Sequence, residues 1–247
     1  MTYLLASLIT FFFTTVLTIA GVGAAFILIP VFVALGIPLL TAMSTALLLN
    51  SFAMAVASFY NARAGLIVYR TALPILIIAS LLSPLGAITA EHLSRTFLLW
   101  LFIGFLLFAG SMMLWYKPKK REISDSKKLI SYGAGVGGFA GFIGGLLGVG
   151  GGNLIVPALV WLGFDPKKAS ATTSFIVIFS SFAGFLGHIS LGNIDHNLLI
   201  VCAIASVAGA VLGNYLMRKK LSAPQVKKVI GIVLYIIAAK MIWDLIK

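Results

Sequence analysis

Runs of about 20 residues without one charged side chain constrain this chain more than any other feature. Thr71 to Ala90, Phe97 to Tyr116 and Asn197 to Met217 are such runs, and about 20 apolar helical residues cross some 30 Å of hydrocarbon. With 61% hydrophobic and 10% charged residues, the composition lies far outside soluble norms. Backbone groups within lipid must bond inside their own segment, so the runs predict helices and an all-α membrane protein. Tyr3 to Ala20 has no basic residue before it and runs into further apolar sequence. It is therefore expected to remain as a span rather than leave as a signal peptide.

The chain repeats itself. Gly21-Val22-Gly23 recurs as Gly148-Val149-Gly150, an offset of 127 that then holds without a gap. At that offset Pro30 meets Pro157, Gly36 meets Gly163, Thr45 meets Thr172, Gly65 meets Gly192 and Gly86 meets Gly213. Apolar composition alone does not align glycines and prolines in this way. Each unit holds five apolar segments, which in the first unit span 3–20, 24–35, 39–60, 70–90 and 96–116. The reading divides the chain into a first transmembrane repeat (1–116), a basic connection (117–128) and a second transmembrane repeat (129–247).

The net charge of +12 is spread over short connections between spans, with no basic helix or aromatic-basic alternation to hold nucleic acid. The basic residues read instead as topology signals. Lys117, Lys119, Lys120, Arg121, Lys127 and Lys128 are expected to put the central connection in the cytoplasm of a cell-membrane protein. Five crossings per unit also bring Arg63, Arg70, Lys167, Lys168 and Arg218 to Lys220 inside. An odd number of crossings turns the second unit over, giving two inverted-topology repeats, an arrangement typical of transporters.

The second segment of each unit is too short to cross as a helix, since a dozen helical residues rise only about 18 Å. A broken or re-entrant span is predicted in each repeat, with extended backbone at the Gly-Val-Gly end making up the length. Irregular backbone at that depth is tolerated only where protein or a watery cavity satisfies it. These breaks are therefore the candidate substrate site: Gly21, Val22, Gly23 and Ala24 in the first unit, and Gly148, Gly150, Gly151, Gly152 and Asn153 in the second. Consecutive glycines expose backbone N–H groups, and a helix starting there adds a partial positive end, a combination suited to an anion.

Thr45, Asn50, Thr172, Thr173 and Ser174 lie on the third segments, where hydroxyl and amide donors can face the same cavity; back-bonding to their own helix is the structural alternative. Asn61 and His188 are equivalent under the offset and are expected at opposite faces as gate or entrance residues. Gly133, Gly137, Gly141 and Gly145 form a small-residue stripe matched by Ala6, Thr10, Thr14 and Thr18. That pairing predicts that the first helices of the two units pack on each other.

The acidic residues Glu91, Glu122, Asp125, Asp165, Asp195 and Asp244 fall near span ends or in loops, which argues against a cation pump with a buried carboxylate. There is no Gly-x4-Gly-Lys-Ser/Thr loop, and His92, His188 and His196 have no cysteine partners. No catalytic residue, metal site or cofactor is expected, and Cys202 reads as a small core residue.

The pattern resembles the sulfite exporter family usually called TauE/SafE, bacterial and archaeal membrane proteins with duplicated units. Gly148-Val149-Gly150-Gly151-Gly152-Asn153 through Pro157, Leu162-Gly163, Ala169 to Ser174, and His188 with Gly192-Asn193-Ile194-Asp195 carry the likeness. The resemblance implies transport of sulfite, sulfonates or related sulfur oxyanions. The first copy departs from it, with Ala24, Ala25 and Phe26 in place of Gly151, Gly152 and Asn153. The leading reading is a secondary transporter, an exporter of a small anion by alternating access at a midplane site. A channel-like anion permease and a non-transporting membrane scaffold are the alternatives.

Overall fold

A computed structural model of the chain describes residues 2–89, 94–115, 126–147, 149–188 and 196–246. The first half forms α1 (Thr2–Ala20), α2 (Ala25–Ala34), α3 (Leu39–Arg63), α4 (Tyr69–Thr89) and α5 (Arg95–Trp115). The second forms α6 (Ser126–Leu146), α7 (Gly152–Trp161), α8 (Pro166–His188), α9 (His196–Tyr215) and α10 (Ala223–Ile246), with a π-helical turn, Leu216–Lys220, between α9 and α10. The first-half boundaries lie within three residues of the apolar segments read from the sequence. α6 begins at Ser126, so Lys127 and Lys128 belong to its first turn rather than to the connection before it.

The protein is an all-α membrane protein. Thr41–Arg63, Tyr69–Thr89, Pro166–Gly187 and Asn197–Lys220 are long and apolar enough to cross a bilayer. Many of the large apolar side chains of α4, including Leu73, Ile77, Leu81, Leu85 and Ile88, remain exposed, as befits a surface whose solvent is lipid. α3 and α8 are more deeply enclosed, with about 70% of each apolar window buried.

Close approach across the two halves builds the interior. α3 and α8 run antiparallel, because Asn61 meets Ser174, Asn50 meets Ser181 and Leu47 meets Gly184 as one numbering rises and the other falls. α5 and α10 are likewise antiparallel, with Gly110 beside Tyr235 and Leu114 beside Gly231. α4 and α6 run parallel, as do α1 and α9, where Gly209 lies on the Phe11 carbonyl and Gly213 on that of Thr15.

The α6 glycine stripe does not serve the interface that the sequence pattern suggests. Gly133 lies against Pro74, Gly137 against Ile75, Gly141 against Ala79 and Gly145 against Ser83, all on α4. The matching stripe of α1 packs on α9, with Thr14 beside Gly209 and Thr18 beside Gly213. Small residues record that two backbones approach closely, but they do not encode which backbone arrives.

One end of the bundle gathers basic residues. Val68 N–H donates to Thr172 Oγ1 at 3.0 Å, and Lys167 Nζ to the Arg218 carbonyl at 3.3 Å. These bonds bring the loops after α3, α7 and α9 to the same end, together with Arg63, Lys167, Lys168 and Arg218 to Lys220.

Candidate functional site

The breaks before α2 and α7 are tight left-handed turns and not the extended backbone anticipated from length. α1 stops in a Schellman motif: Gly21 has φ +74°, its N–H bonds the Thr18 carbonyl at 3.0 Å, and Val22 N–H bonds that of Leu17 at 3.3 Å. Gly23 is again left-handed at φ +73°, as are Gly150 and Gly151 at +73° and +74°. The reversal satisfies the end of one helix and starts the next within a few residues, which an extended strand could not do.

These turns meet in the middle of the protein. A β-carbon on Gly152 would lie 2.7 Å from the Val22 carbonyl oxygen, so the two breaks touch. One on Gly23 would fall on the Asn50 carboxamide, and one on Gly150 would lie on the Ser181 hydroxyl and 3.2 Å from Asn50 Nδ2. Asn50, 1% exposed and midway along α3, thus stands between the two turns. Its Nδ2 donates to Ser181 Oγ at 2.9 Å, while Ser180 Oγ donates to the Gly150 carbonyl at 2.9 Å. Ser170 Oγ donates to the Ile19 carbonyl at 3.2 Å and supports the first turn from outside.

Both short helices begin here without a side-chain cap, α2 behind Ala24 and α7 behind Gly151. The first N–H groups of a helix have no partner within it, and the end carries about half a positive charge. Asn153, in the first turn of α7, is fully buried, and neither its Nδ2 nor its Oδ1 has a partner among the described residues; the same holds for Asn50 Oδ1. An unsatisfied buried polar group costs about 1–3 kcal/mol. Beside the two uncapped helix starts, Asn153 therefore has both a donor and an acceptor unused, and Asn50 an acceptor, which makes the paired turns the candidate site for a small polar ligand.

A second buried network runs from the basic end toward the α3–α8 seam. Arg218 Nε donates to Asn214 Oδ1 at 2.7 Å, Asn214 Nδ2 to Asn61 Oδ1 at 2.8 Å, Asn61 Nδ2 to Ser174 Oγ at 3.1 Å, and Ser174 Oγ to the Ala171 carbonyl at 2.7 Å. Asn61 and Asn214 are buried, and the Arg218 guanidinium also lies 5.4 Å from the Tyr60 ring centroid.

Gly21, Val22, Gly23, Ala24, Asn50, Gly150, Gly151, Gly152 and Asn153 therefore lie on or beside the paired turns. Thr172 and Ser174 do not bond there: Thr172 accepts the Val68 N–H, and Ser174 joins the Asn61 network. Thr45 and Thr173 are buried with hydroxyls lacking partners among the described residues. Gly148 and the Gly192-to-Asp195 segment lie outside the described residues, as does the side chain of His188, the last residue of α8. Sequence reasoning missed Ser180, Ser181 and Asn214. The offset could have exposed all three, since they replace apolar residues of the first unit, Ala53, Met54 and Ala87.

The family profile described as sulfite exporter TauE/SafE matches residues 6–241. The chain belongs to the sulfite exporter TauE/SafE family. It is 34% identical over 173 residues to the probable membrane transporter protein YunE of Bacillus subtilis, a match covering 61% of each chain. It is 36% identical over 100 residues to sulfite exporter TauE/SafE family protein 1 of Arabidopsis thaliana, covering 38% of this chain and 22% of that one. The chain thus spans less than two thirds of either relative. Similarity to the probable membrane transporter protein ORF9 of Sinorhizobium sp is lower, 27% over 231 residues, but covers 92% of this chain and 87% of that one. No solved structure matches the chain significantly. TauE/SafE proteins are a family of membrane transporters and not of enzymes, in keeping with the multi-pass helical architecture of this chain.

Proposed function

We propose that this TauE/SafE protein is a secondary transporter in the cell membrane that exports a small sulfur oxyanion, sulfite or an organosulfonate. In this reading the anion sits where α2 and α7 begin, held by their first N–H groups and by Asn50 and Asn153. The observation that carries it is the meeting of two uncapped helix starts around buried carboxamides with unused polar atoms. The printed names of the Arabidopsis relatives support the sulfur oxyanion.

The helix directions support two inverted repeats, 1–116 and 129–247. If each unit crosses an odd number of times, equivalent helices run in opposite directions, as α3 and α8 do and as α5 and α10 do. An even number would leave both pairs parallel. Alternating access then consists of one unit rocking against the other about the α3–α8 seam. The basic end, with the connection 117–128, faces the cytoplasm by the positive-inside rule. Asn61 serves as a gate there, and His188 as its counterpart at the other face. A membrane potential negative inside drives an anion outward by about 2.3 kcal/mol per charge per 100 mV, so export needs no coupling ion.

Uptake of radiolabelled sulfite into proteoliposomes, with wild type and Asn153→Ala compared under an imposed potential, tests the proposal. Saturable, potential-driven flux with counterflow, reduced at least about tenfold in the variant, is the expected result. Flux that is linear in concentration would indicate a channel, and none for any sulfur oxyanion would reject transport of this substrate class.

A further inference from the structure

We infer that the site selects anions carrying one negative charge, hydrogensulfite or an alkanesulfonate, over doubly charged sulfite and sulfate. The inference rests on the transporter reading above and names the charge class of its substrate.

The positive potential of the site comes from backbone and not from side chains. Residues 17–32, 44–58, 137–160 and 170–186, which build the paired turns and the helices around them, contain no Lys, Arg, His, Asp or Glu. Charged groups of the packed helices stand at their ends: Arg63 on α3, Arg70 on α4, Lys127 and Lys128 on α6, Lys167, Lys168 and His188 on α8, and His196 on α9. Away from the ends stands the thiol of Cys202, buried on α9 beside Thr10 of α1. What remains are the starts of α2 and α7, brought together by the contact of Gly152 with Val22. Each start contributes at most about half an elementary charge, and the capped ends of α1 and α6 at the same turns offset part of it, so together they balance no more than about one negative charge. A dianion would leave a net negative charge buried away from water, which is costly without a counter-ion.

Asn153 favours hydrogensulfite over sulfite by a separate argument, one that does not extend to alkanesulfonates. Its buried carboxamide has both a donor and an acceptor unused. Hydrogensulfite offers oxygens to the donor and a proton to the acceptor, whereas sulfite has no proton to give and leaves the acceptor facing negative charge. Near neutral pH the two forms interconvert by proton exchange, so the protein need take only the monoanion.

Initial uptake of labelled sulfite into wild-type proteoliposomes, at fixed total sulfite, clamped zero potential and a series of pH values, tests the inference. The rates should fall on one saturation curve when plotted against hydrogensulfite concentration. Methanesulfonate, a monoanion at every pH used, should compete, and sulfate should compete at least about tenfold less well. Rates that follow the dianion concentration, or sulfate competing as well as methanesulfonate, would overturn the charge selection while leaving transport intact. Absence of saturable uptake for every anion would overturn the transporter reading and this inference together.

Discussion

Asn50 Nδ2 donates to Ser181 Oγ at 2.9 Å, and the residues related to them by the repeat offset are Val177 and Met54, both fully buried in an apolar cluster. One seam between α3 and α8 therefore carries a polar pair on one side of its centre and an apolar pair on the other. Under the proposed reading, the two halves contribute unequally to the site. Ser181→Ala removes the acceptor and leaves Asn50 in place. Hydrogen bonds between membrane helices average about 0.6 kcal/mol, so thermal unfolding should shift only slightly. The concentration of sulfite that half-saturates uptake should rise severalfold, because Asn50 loses its anchor.

The α4–α6 interface depends on glycine where backbones touch. A β-carbon on Gly145 would fall on the Ser83 carbonyl, and one on Gly141 on the backbone of Ala79. Gly141→Leu and Gly145→Leu should abolish monodisperse protein in size-exclusion chromatography. Gly104→Ala and Gly135→Ala, where a β-carbon meets nothing within 4 Å, should elute as wild type does.

Asn61 and Asn214 form the middle of a buried chain of donors that begins at Arg218. A double-mutant cycle of Asn61→Ala and Asn214→Ala, read by thermal or denaturant unfolding, should give a coupling of about 0.5–2 kcal/mol. Asn214→Ala should cost more than Arg218→Gln. It leaves the Asn61 carboxamide oxygen unpaired in the interior, whereas Arg218 is only partly buried.

The bonds that gather the loops after α3, α7 and α9 at one end, with the cytoplasmic orientation proposed for that end, make sidedness testable. In a Cys202→Ala background, single cysteines at Ala64 and Ser222 should react with an impermeant maleimide from the cytoplasmic face, and one at Ser94 from the outer face. Reaction of Ala64→Cys and Ser222→Cys from opposite faces would contradict the odd number of crossings.

The span boundaries and the interrupted second segments were legible in the sequence, because apolar length and glycine or proline punctuation are local signals. Helix partners were not. The stripe of Gly133 to Gly145 reports a near backbone, and only the fold shows that it belongs to α4. The form of the breaks was likewise hidden, since an extended stretch and a left-handed reversal both call for glycine. Asn50 stood out as an isolated amide in an apolar span, whereas Ser180 and Ser181 pass for serines that bond back to their own helix unless set against Ala53 and Met54 at the repeat offset. Thr172 and Ser174 sit on the same helix as those serines, yet nearer the basic end, where they are drawn into the Val68 and Asn61 contacts.

Direct binding tests the central claim most sharply. Isothermal titration of sulfite into purified protein in nanodiscs, wild type against Asn50→Val, asks whether the paired helix starts around Asn50 hold the anion. The variant copies the apolar residue already found at the equivalent position, Val177, so folding should survive. Saturable binding by wild type, weakened at least about tenfold in folded Asn50→Val, is the expected result. Equal binding by the two proteins would contradict the account and place the anion elsewhere.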